Sequence, residues 1–431
     1  MHRVKVISGH LSSYPPQGGN RKCNINHCRA RAAVSGPEDV VVVHGRRTAI
    51  GKAKRGLFKV WSFKPHSNSV VCANVSLSPR CLLTLTNITV CLTLAGNVLQ
   101  PGAGAVMARI AHFLSEFPET VPVYTVNRQC SSGLQALFNI AGAIKSGSID
   151  LGLACGVESM SLQEMGNPGD LSPRLVDFEK ARACVVPMGI TSENVAERFG
   201  ISREKQDAFA VSSHQKADRA QRSGRFEAEI VPVVTRVTDA EGTESTVTVL
   251  KDEGVRPSTT LEGLGKLRAA FRADGSTTAG NSSQVSDGAA ALLLGRRSAV
   301  EALGLPVLGV LRASAVVGVP PDMMGIGPAY AIPAALEQAG LIVADIDVFE
   351  INEAFASQAV YCVEKLGLPL DRVNPNGGAI ALGHPLGCTG ARMAVTLLHE
   401  LQRMGRRGYG VVSMCIGTGM GAAAVFEYPG P

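Results

Sequence analysis

The sequence has no unbroken apolar run of the ~18 residues that a membrane-crossing helix needs. The nearest candidate, Cys81 to Ala95, is short and carries four threonines and an asparagine. There is no Cys-x-x-Cys pair, and the 11 cysteines are odd in number and scattered. Neither a disulfide framework nor a zinc site is therefore indicated. A reducing, intracellular setting fits that usage. Asn74-Val75-Ser76 and Asn87-Ile88-Thr89 then read as chance matches to a glycosylation acceptor. Aromatic residues are few, with 1 Trp, 6 Tyr and 13 Phe, and no basic stripe is interleaved with them. That excludes a stacking platform for single-stranded nucleic acid. Acidic residues are absent from positions 1–37.

The 431 residues are enough for two or three domains. With 45% hydrophobic and 18% charged residues the chain can bury a large core. Its 47 glycines point to tight turns and close backbone approaches. The formal net charge of +6 is mild and by itself fits small anionic substrates as readily as nucleic acid. Asp39 to Val43 reads as a buried strand, because an unbroken apolar run follows an acid. Leu134, Leu137, Phe138, Ala141 and Ile144 recur at helical spacing, so 131–146 is a predicted helix. Asp150 to Cys155 is a second strand. The last third repeats the plan. Strands are predicted at Val307 to Leu311, Ile346 to Glu350 and Tyr409 to Met414, with a helix opening at Gly383 and running to about His399. This reads as a pseudo-duplicated α/β core, each half a mixed sheet covered by helices. The stretch 161–278 is more polar and reads as an inserted lobe with one helix, Thr191 to Ser213, N-capped within Thr191-Ser192-Glu193-Asn194.

The amino-terminal residues carry Arg3, Lys5, Arg21, Lys22, Arg29 and Arg31 without an acid. Arg3 and His10 are seven apart, as are Val4 and Leu11, so on a helix all four share one face with Ile7. The stretch resembles an amino-terminal peroxisomal targeting signal: Arg, an aliphatic residue, five free positions, His, Leu. An import receptor would read Arg3, Val4, His10 and Leu11. The rival address is a mitochondrial matrix presequence, since acid-poor and Arg-bearing describes that too.

Three distant segments carry the chemistry. In Asn127-Arg128-Gln129-Cys130-Ser131-Ser132-Gly133 a thiol precedes a helix. Unpaired N–H groups and the helix dipole there are expected to lower its pKa and favour the attacking thiolate. Read alone, Cys130 is as readily a small buried hydrophobe. His384, in Leu382-Gly383-His384-Pro385-Leu386-Gly387, cannot be mid-helix because Pro385 follows it. It can take a proton from Cys130. Cys415 ends a strand before Gly417, Gly419 and Gly421, a loop able to aim N–H groups at an oxyanion. Asn352 lies just past a strand end, where its amide either polarises a carbonyl or only caps the next helix.

Asn127 to Gly133, Asn352 to Phe355, Asn376 to Gly387 and Cys415 to Gly421 resemble the signature segments of the thiolase family. The resemblance covers about residues 38–59 and 96–431. It implies an α/β fold, a duplicated five-layer α-β-α-β-α core with an inserted loop domain. The expected division is a targeting peptide and linker at 1–37, an N-terminal half at 38–160 plus 279–305, a loop domain at 161–278 and a C-terminal half at 306–431. It implies thiolytic cleavage of 3-ketoacyl-CoA by CoA in fatty acid β-oxidation, through an acyl-cysteine in a ping-pong cycle. By resemblance Cys130 becomes acylated, and His384 activates it. His384 and a water on Asn352 hold the thioester oxygen. Cys415 protonates the leaving acetyl-CoA enolate. Gly417 and Cys130 N–H groups form a second oxyanion hole. Ser283 matches a pantetheine contact, Met188 and Phe355 match pocket-lining positions, and Arg256 approaches the CoA nucleotide or is a solvated surface residue. No cofactor or metal is expected, since CoA is a substrate. Partners are acyl-CoA, CoA and a second copy of the chain in a homodimer.

Residues 60–95 depart from the family pattern. A charged amphipathic helix, a short loop and a strand are expected there, but the segment has no Asp or Glu and poor helical periodicity. On that account a catalytically impaired chain that only pairs with an intact enzyme stays open as a reading; separately from it, catalysis confined to acetoacetyl-CoA is the enzymatic alternative.

Overall fold

In the computed structural model the described residues are 35–58, 90–165, 169–238 and 242–431. The segment expected to act as a targeting signal, with Arg3, Val4, His10 and Leu11, lies outside them, as does most of the atypical segment. The strands follow the apolar runs. They are β1 (Val40–Arg47), β2 (Gly51–Lys52), β3 (Leu92–Gly96), β4 (Val123–Val126), β5 (Leu151–Ser159), β6 (Val233–Thr238), β7 (Glu244–Val249), β8 (Ser286–Arg296), β9 (Gly309–Gly318), β10 (Val348–Ile351), β11 (Gly408–Ile416) and β12 (Met420–Tyr428). The helices used below are α1 (Ala105–Leu114), α2 (Ser132–Lys145), α3 (Met188–Phe199), α4 (Arg203–Arg222), α5 (Gly327–Ala339), α6 (Ala356–Leu366), α7 (Ala379–Leu382) and α8 (Leu386–Arg403).

Strand pairing repeats itself between the two ends of the chain. β3 lies parallel to β4 and β5, β5 runs antiparallel to β8, and β8 antiparallel to β1. In the second half β10 is parallel to β11 and bridged in parallel through Phe349 and Val373. β11 is antiparallel to β12, and β12 to β9. The halves meet where β1 pairs with β9 at Val41–Val310 and Val42–Gly309. Leu92–Gly96, the end of the atypical segment, thus enters the sheet as an inner strand between β4 and β5.

Side chains alternate across each sheet, so each half has two apolar faces to cover. Leu94, Ala154 and Leu292 of one half and Val412, Met414 and Ala424 of the other face a shared middle layer. That layer is α2 and α8, through Leu134, Leu137, Ile140, Val395 and Leu398. Ala95, Leu153, Cys155 and Leu293 point to the opposite face of the first half, where Ala108 of α1 packs. Ala331, Ile332 and Leu336 of α5 and Val363 of α6 cover Phe349, Val411 and Val425 on the opposite face of the second. The result is the expected five-layer order of helices and sheets. Burying a side chain such as Leu137, wholly inaccessible, contributes roughly 1.5–3 kcal/mol, and cutting it to Ala costs about 2–5 kcal/mol.

The single helix expected at Thr191 to Ser213 is two. α3 starts at Met188 after Pro187 and ends at Gly200, which is left-handed with φ of 66°. Ser202 then caps α4 by accepting from Lys205 N. The cap expected within 191–194 is therefore absent, and Thr191 instead donates back to Met188 O at 2.7 Å. Helical periodicity continues through the break, because both helices bury a face on the same neighbour, α6. A single Gly inside it ends the first helix.

Candidate active site

Cys130 sits in the turn between β4 and α2. Local polar groups shape that turn. Arg128 N donates to Ser132 Oγ at 2.9 Å, Gln129 N donates to Asn127 Oδ1 at 2.9 Å, and Asn127 Nδ2 donates to Val98 O at 3.1 Å. Gln129 takes a left-handed φ of 47°, uncommon for a side-chain-bearing residue. The start of α2 presses against the start of α8. A Cβ on Gly133 would lie 2.6 Å from Gly387 O, and one on Gly387 would lie 2.6 Å from Val157 O and 2.7 Å from Gly96 O. Only glycine permits this approach, which sets the Cys130 turn beside the His384 turn.

His384 follows Gly383, whose φ is 114°, and its N–H donates to Gln284 O at 3.0 Å. The ring is buried. Nδ1 is 2.6 Å from Thr389 Oγ1, and Thr389 donates its own proton to Pro385 O at 3.0 Å. With that proton used, Thr389 can only accept from His384. Nδ1 therefore carries the ring hydrogen, and Nε2 presents its lone pair. Asn352 Nδ2 donates to that Nε2 at 3.3 Å. Burial, then the nearby Arg392 guanidinium, pulls His384 down to about 3, so the ring is neutral at rest. Arg392 is itself buried against Glu350 at 3.4 Å.

Asn352 leaves β10, with its N–H on Ser413 O of β11 at 2.9 Å. It does not cap α6, whose first turn has no side-chain cap and follows Phe355. Cys415, on β11, is buried, with Sγ donating to Gln358 Oε1 at 3.6 Å. Burial, the Cys130 thiol and the Cys362 thiol, in that order, raise its pKa well above the usual thiol range. The backbone N–H groups of Gly417 and of Cys130 itself act to lower the Cys130 pKa.

The expected lowering of the Cys130 pKa does not hold. Burial pushes the thiol up to about 11, with the Glu158 carboxylate adding to it, against the two N–H groups. The helix start supplies partial positive charge, but a 2% exposed sulfur loses more hydration than that offsets. The resting pair is thus a thiol and a neutral imidazole.

The remaining sequence candidates divide. Ser283 N donates to Ala354 O at 3.0 Å, and Ser282 bridges Phe355. Phe355 stands edge-on to Phe271 at 6.1 Å between ring centroids. Met188 packs against the cluster that holds Cys130. Arg256 is exposed, and its backbone N–H donates to His214 Nδ1 at 3.2 Å. Sequence reasoning missed Thr389, Gln358 and Glu158. Thr389 and Gln358 lie in the first turns of α8 and α6. Glu158, at the end of β5, is 1% exposed and gathers Val98 N at 3.0 Å, Leu99 N at 3.3 Å, Asn97 Nδ2 at 3.1 Å and Gly387 N at 3.0 Å. Nothing in its local sequence marks that convergence.

A separate cavity lies between α1 and the sheet, lined by Thr93, Ala95, Met107, His112, Leu153 and Cys155. Ala95, Leu153 and Cys155 put it on the sheet face turned away from Cys130.

The thiolase N-terminal domain model matches residues 40–298, and the thiolase C-terminal domain model matches residues 305–428. The chain is 65% identical over 438 residues to peroxisomal 3-ketoacyl-CoA thiolase of Homo sapiens, with 100% of each chain covered. It is similar to the dimeric peroxisomal thiolase of Saccharomyces cerevisiae, with TM-score 0.83, 51% identity, and 92% of this chain and 98% of that one covered. A second structure of the Saccharomyces cerevisiae peroxisomal 3-ketoacyl-CoA thiolase, described as five-layered from two core domains of identical topology, gives TM-score 0.71 and 45% identity, covering 91% of this chain and 98% of that one. With both halves matched and the paired thiols, locked imidazole and strand-end amide assembled at their junction, the chain belongs to the thiolase family.

Proposed function

We propose that this chain cleaves 3-ketoacyl-CoA with CoA, giving acetyl-CoA and a shortened acyl-CoA, in peroxisomal fatty acid β-oxidation. The observation that carries the reading is the convergence at Cys130. The backbone N–H groups of Gly417 and Cys130 favour its thiolate, and the Cys415 thiol is its neighbour. On the next helix start, His384 is locked with Nε2 as the acceptor.

Because thiol and imidazole are both neutral at rest, proton transfer accompanies attack. Cys130 Sγ adds to the 3-keto carbonyl as its proton passes to His384 Nε2. The oxyanion forms against the N–H groups of Gly417 and Cys130. The C2–C3 bond breaks, and Cys415 protonates the acetyl-CoA carbanion. The protonated Nε2 and a water held by Asn352 stabilise the thioester oxygen. CoA thiol then gives its proton to the Cys415 thiolate and takes the acyl group from Cys130, whose sulfur recovers its own proton from His384 Nε2. Ser283, Met188 and Phe355 line the acyl-pantetheine path, and Arg256 approaches the nucleotide. No protein-bound cofactor enters these steps.

A second copy of the chain is the expected partner. The dimeric Saccharomyces cerevisiae relative supports this. So does an exposed apolar group on α1 (Val106, Met107, Ile110, Phe113) near the edge strand β4 with its exposed Tyr124. The core halves are 38–160 plus 279–305 and 306–431, with 161–278 as the loop domain.

The test is mass spectrometry after brief exposure to acetoacetyl-CoA and to a longer 3-ketoacyl-CoA. The expected result is an acyl adduct on Cys130 with the longer substrate, removed by CoA. Absence of any adduct from folded protein would overturn the reading.

A further inference from the structure

Cys415 is wholly enclosed, yet its sulfur is not left without a partner. Gln358, in α6, brings its amide oxygen to 3.6 Å from Cys415 Sγ. Gln358 is 2% exposed. Its amide is wedged against bare backbone, since a Cβ on Gly325 would fall 2.1 Å from Gln358 Cγ and Cδ. Its amide nitrogen meets Thr191 Oγ1 at 3.5 Å, and Thr191 donates its one proton to Met188 O at 2.7 Å.

Counting donors fixes the direction of the chain. Thr191 has spent its proton on Met188, so its oxygen accepts, and Gln358 Nε2 must donate to it. The amide oxygen is then the end that faces Cys415, and an amide oxygen only accepts. The sulfur must be the donor. Reversing the amide would set an N–H₂ group toward the thiol and a carbonyl toward an oxygen with no proton to give.

We propose that Gln358 is a positioning residue for the carbon-acid step: it holds Cys415 as a thiol aimed for proton delivery, and Thr191 of α3 sets the orientation of the amide. This rests on the reading of Cys415 as the group that protonates the acetyl-CoA carbanion. In cleavage the Sγ–H proton passes to C2 and leaves a thiolate, which then takes the proton of the incoming CoA thiol. An amide oxygen repels that thiolate, so the cycle is biased back to the thiol. The titratable groups facing Cys415 are the thiols of Cys130 and Cys362. The relay also ties proton delivery to α3, whose first residue, Met188, is placed along the acyl path.

Two partial reactions separate this role from a general packing role. Exchange of labelled CoA into acyl-CoA runs through acyl-Cys130 and requires no carbon acid. Exchange of the acetyl-CoA methyl protons with deuterated water requires Cys415. In Gln358→Met, which keeps the side-chain length and removes the acceptor, the limiting rate of methyl-proton exchange at high pH falls about ten-fold or more, because the sulfur is no longer aimed at the methyl carbon. The rising limb of its pH profile, set by formation of the Cys415 thiolate that takes the methyl proton, moves to lower pH, while CoA exchange stays within about three-fold. Thr191→Val, which frees the amide to turn, shows the same split more weakly and decides the matter if Gln358→Met does not fold. Equal loss of both reactions, or unchanged methyl-proton exchange in both variants, overturns the proposal. Cys415→Ala is run beside them. Retained methyl-proton exchange there removes the reading of Cys415 itself, and with it the proposal.

Discussion

Thr389→Val tests how His384 is made a base. Thr389 is fully buried, and its hydroxyl joins His384 Nδ1 at 2.6 Å to Pro385 O at 3.0 Å. Valine keeps the shape and removes both bonds. His384 Nδ1–H then has no partner in a buried site, a cost of about 1–3 kcal/mol. The ring escapes that cost by moving its hydrogen to Nε2. In that tautomer Nε2 can no longer accept from Cys130, and it meets the Asn352 amide donor with a hydrogen of its own. The productive tautomer is disfavoured by the same energy, which at about 1.4 kcal/mol per decade is a loss of about 5- to 150-fold. The assay is rapid-quench single turnover, reading acyl-Cys130 by mass spectrometry, with Thr389→Ser beside it. The serine variant keeps the hydroxyl and should acylate near the wild-type rate. Acylation by Thr389→Val within two-fold of wild type, or equal loss in Thr389→Ser, would refute the tautomer argument.

Other expectations follow from the same geometry. Alkylation of Cys130 by a small neutral reagent should rise with pH toward about 11, since burial raises the thiol to that value; a plateau near neutral pH would contradict it. Glu158 is raised from 4.5 to about 7, first by burial, so the native state binds its proton more tightly than the unfolded chain. Its stabilising contribution is complete below about 4.5 and lost as pH rises through about 7, so the stability gap between wild type and Glu158→Gln should narrow by up to about 3 kcal/mol over that window. Chemical denaturation at several pH values measures it, and a constant gap would count against the assignment. Gly133→Ala should lower the melting temperature and reduce acylation together, because its Cβ meets the backbone oxygen of Gly387 at 2.6 Å; overpacking of this kind costs about 1–3 kcal/mol. Ile110→Asp with Phe113→Asp should shift sedimentation toward a monomer if the apolar face of α1 is covered by a second copy, and an unchanged dimer would place the contact elsewhere.

Much of the layout was legible because it rests on local pattern. The apolar runs at Val40 and Leu151 and the periodic stripe from Leu134 to Ile144 mark buried strands and a helix wherever they occur. The break at Gly200 was not legible, because the periodicity on either side is kept by a shared neighbour, α6. The pairing of β1 with β9, and the placing of Leu92–Gly96 between β4 and β5, depend on contacts between residues far apart in the chain.

At the site, residue types near Gly-rich turns were enough to single out Cys130, His384, Asn352 and Cys415. A nucleophile, a base and an acid need particular functional groups, and those groups are written in the sequence. Their states are not. The helix start argued for a lowered Cys130 pKa, but the depth of burial reverses the sign. Which nitrogen of His384 carries hydrogen depends on Thr389, whose proton is spent on a carbonyl one turn back. Whether Cys415 donates or accepts depends on an amide turned by a hydroxyl from another segment. The sequence by itself determined the parts and a duplicated α/β core with helix-covered sheets, because side-chain chemistry and apolar periodicity are local properties, while the five-layer order came from the family resemblance. Only the tertiary structure decided charge, tautomer and proton direction, because desolvation and donor counting are properties of the assembled surroundings.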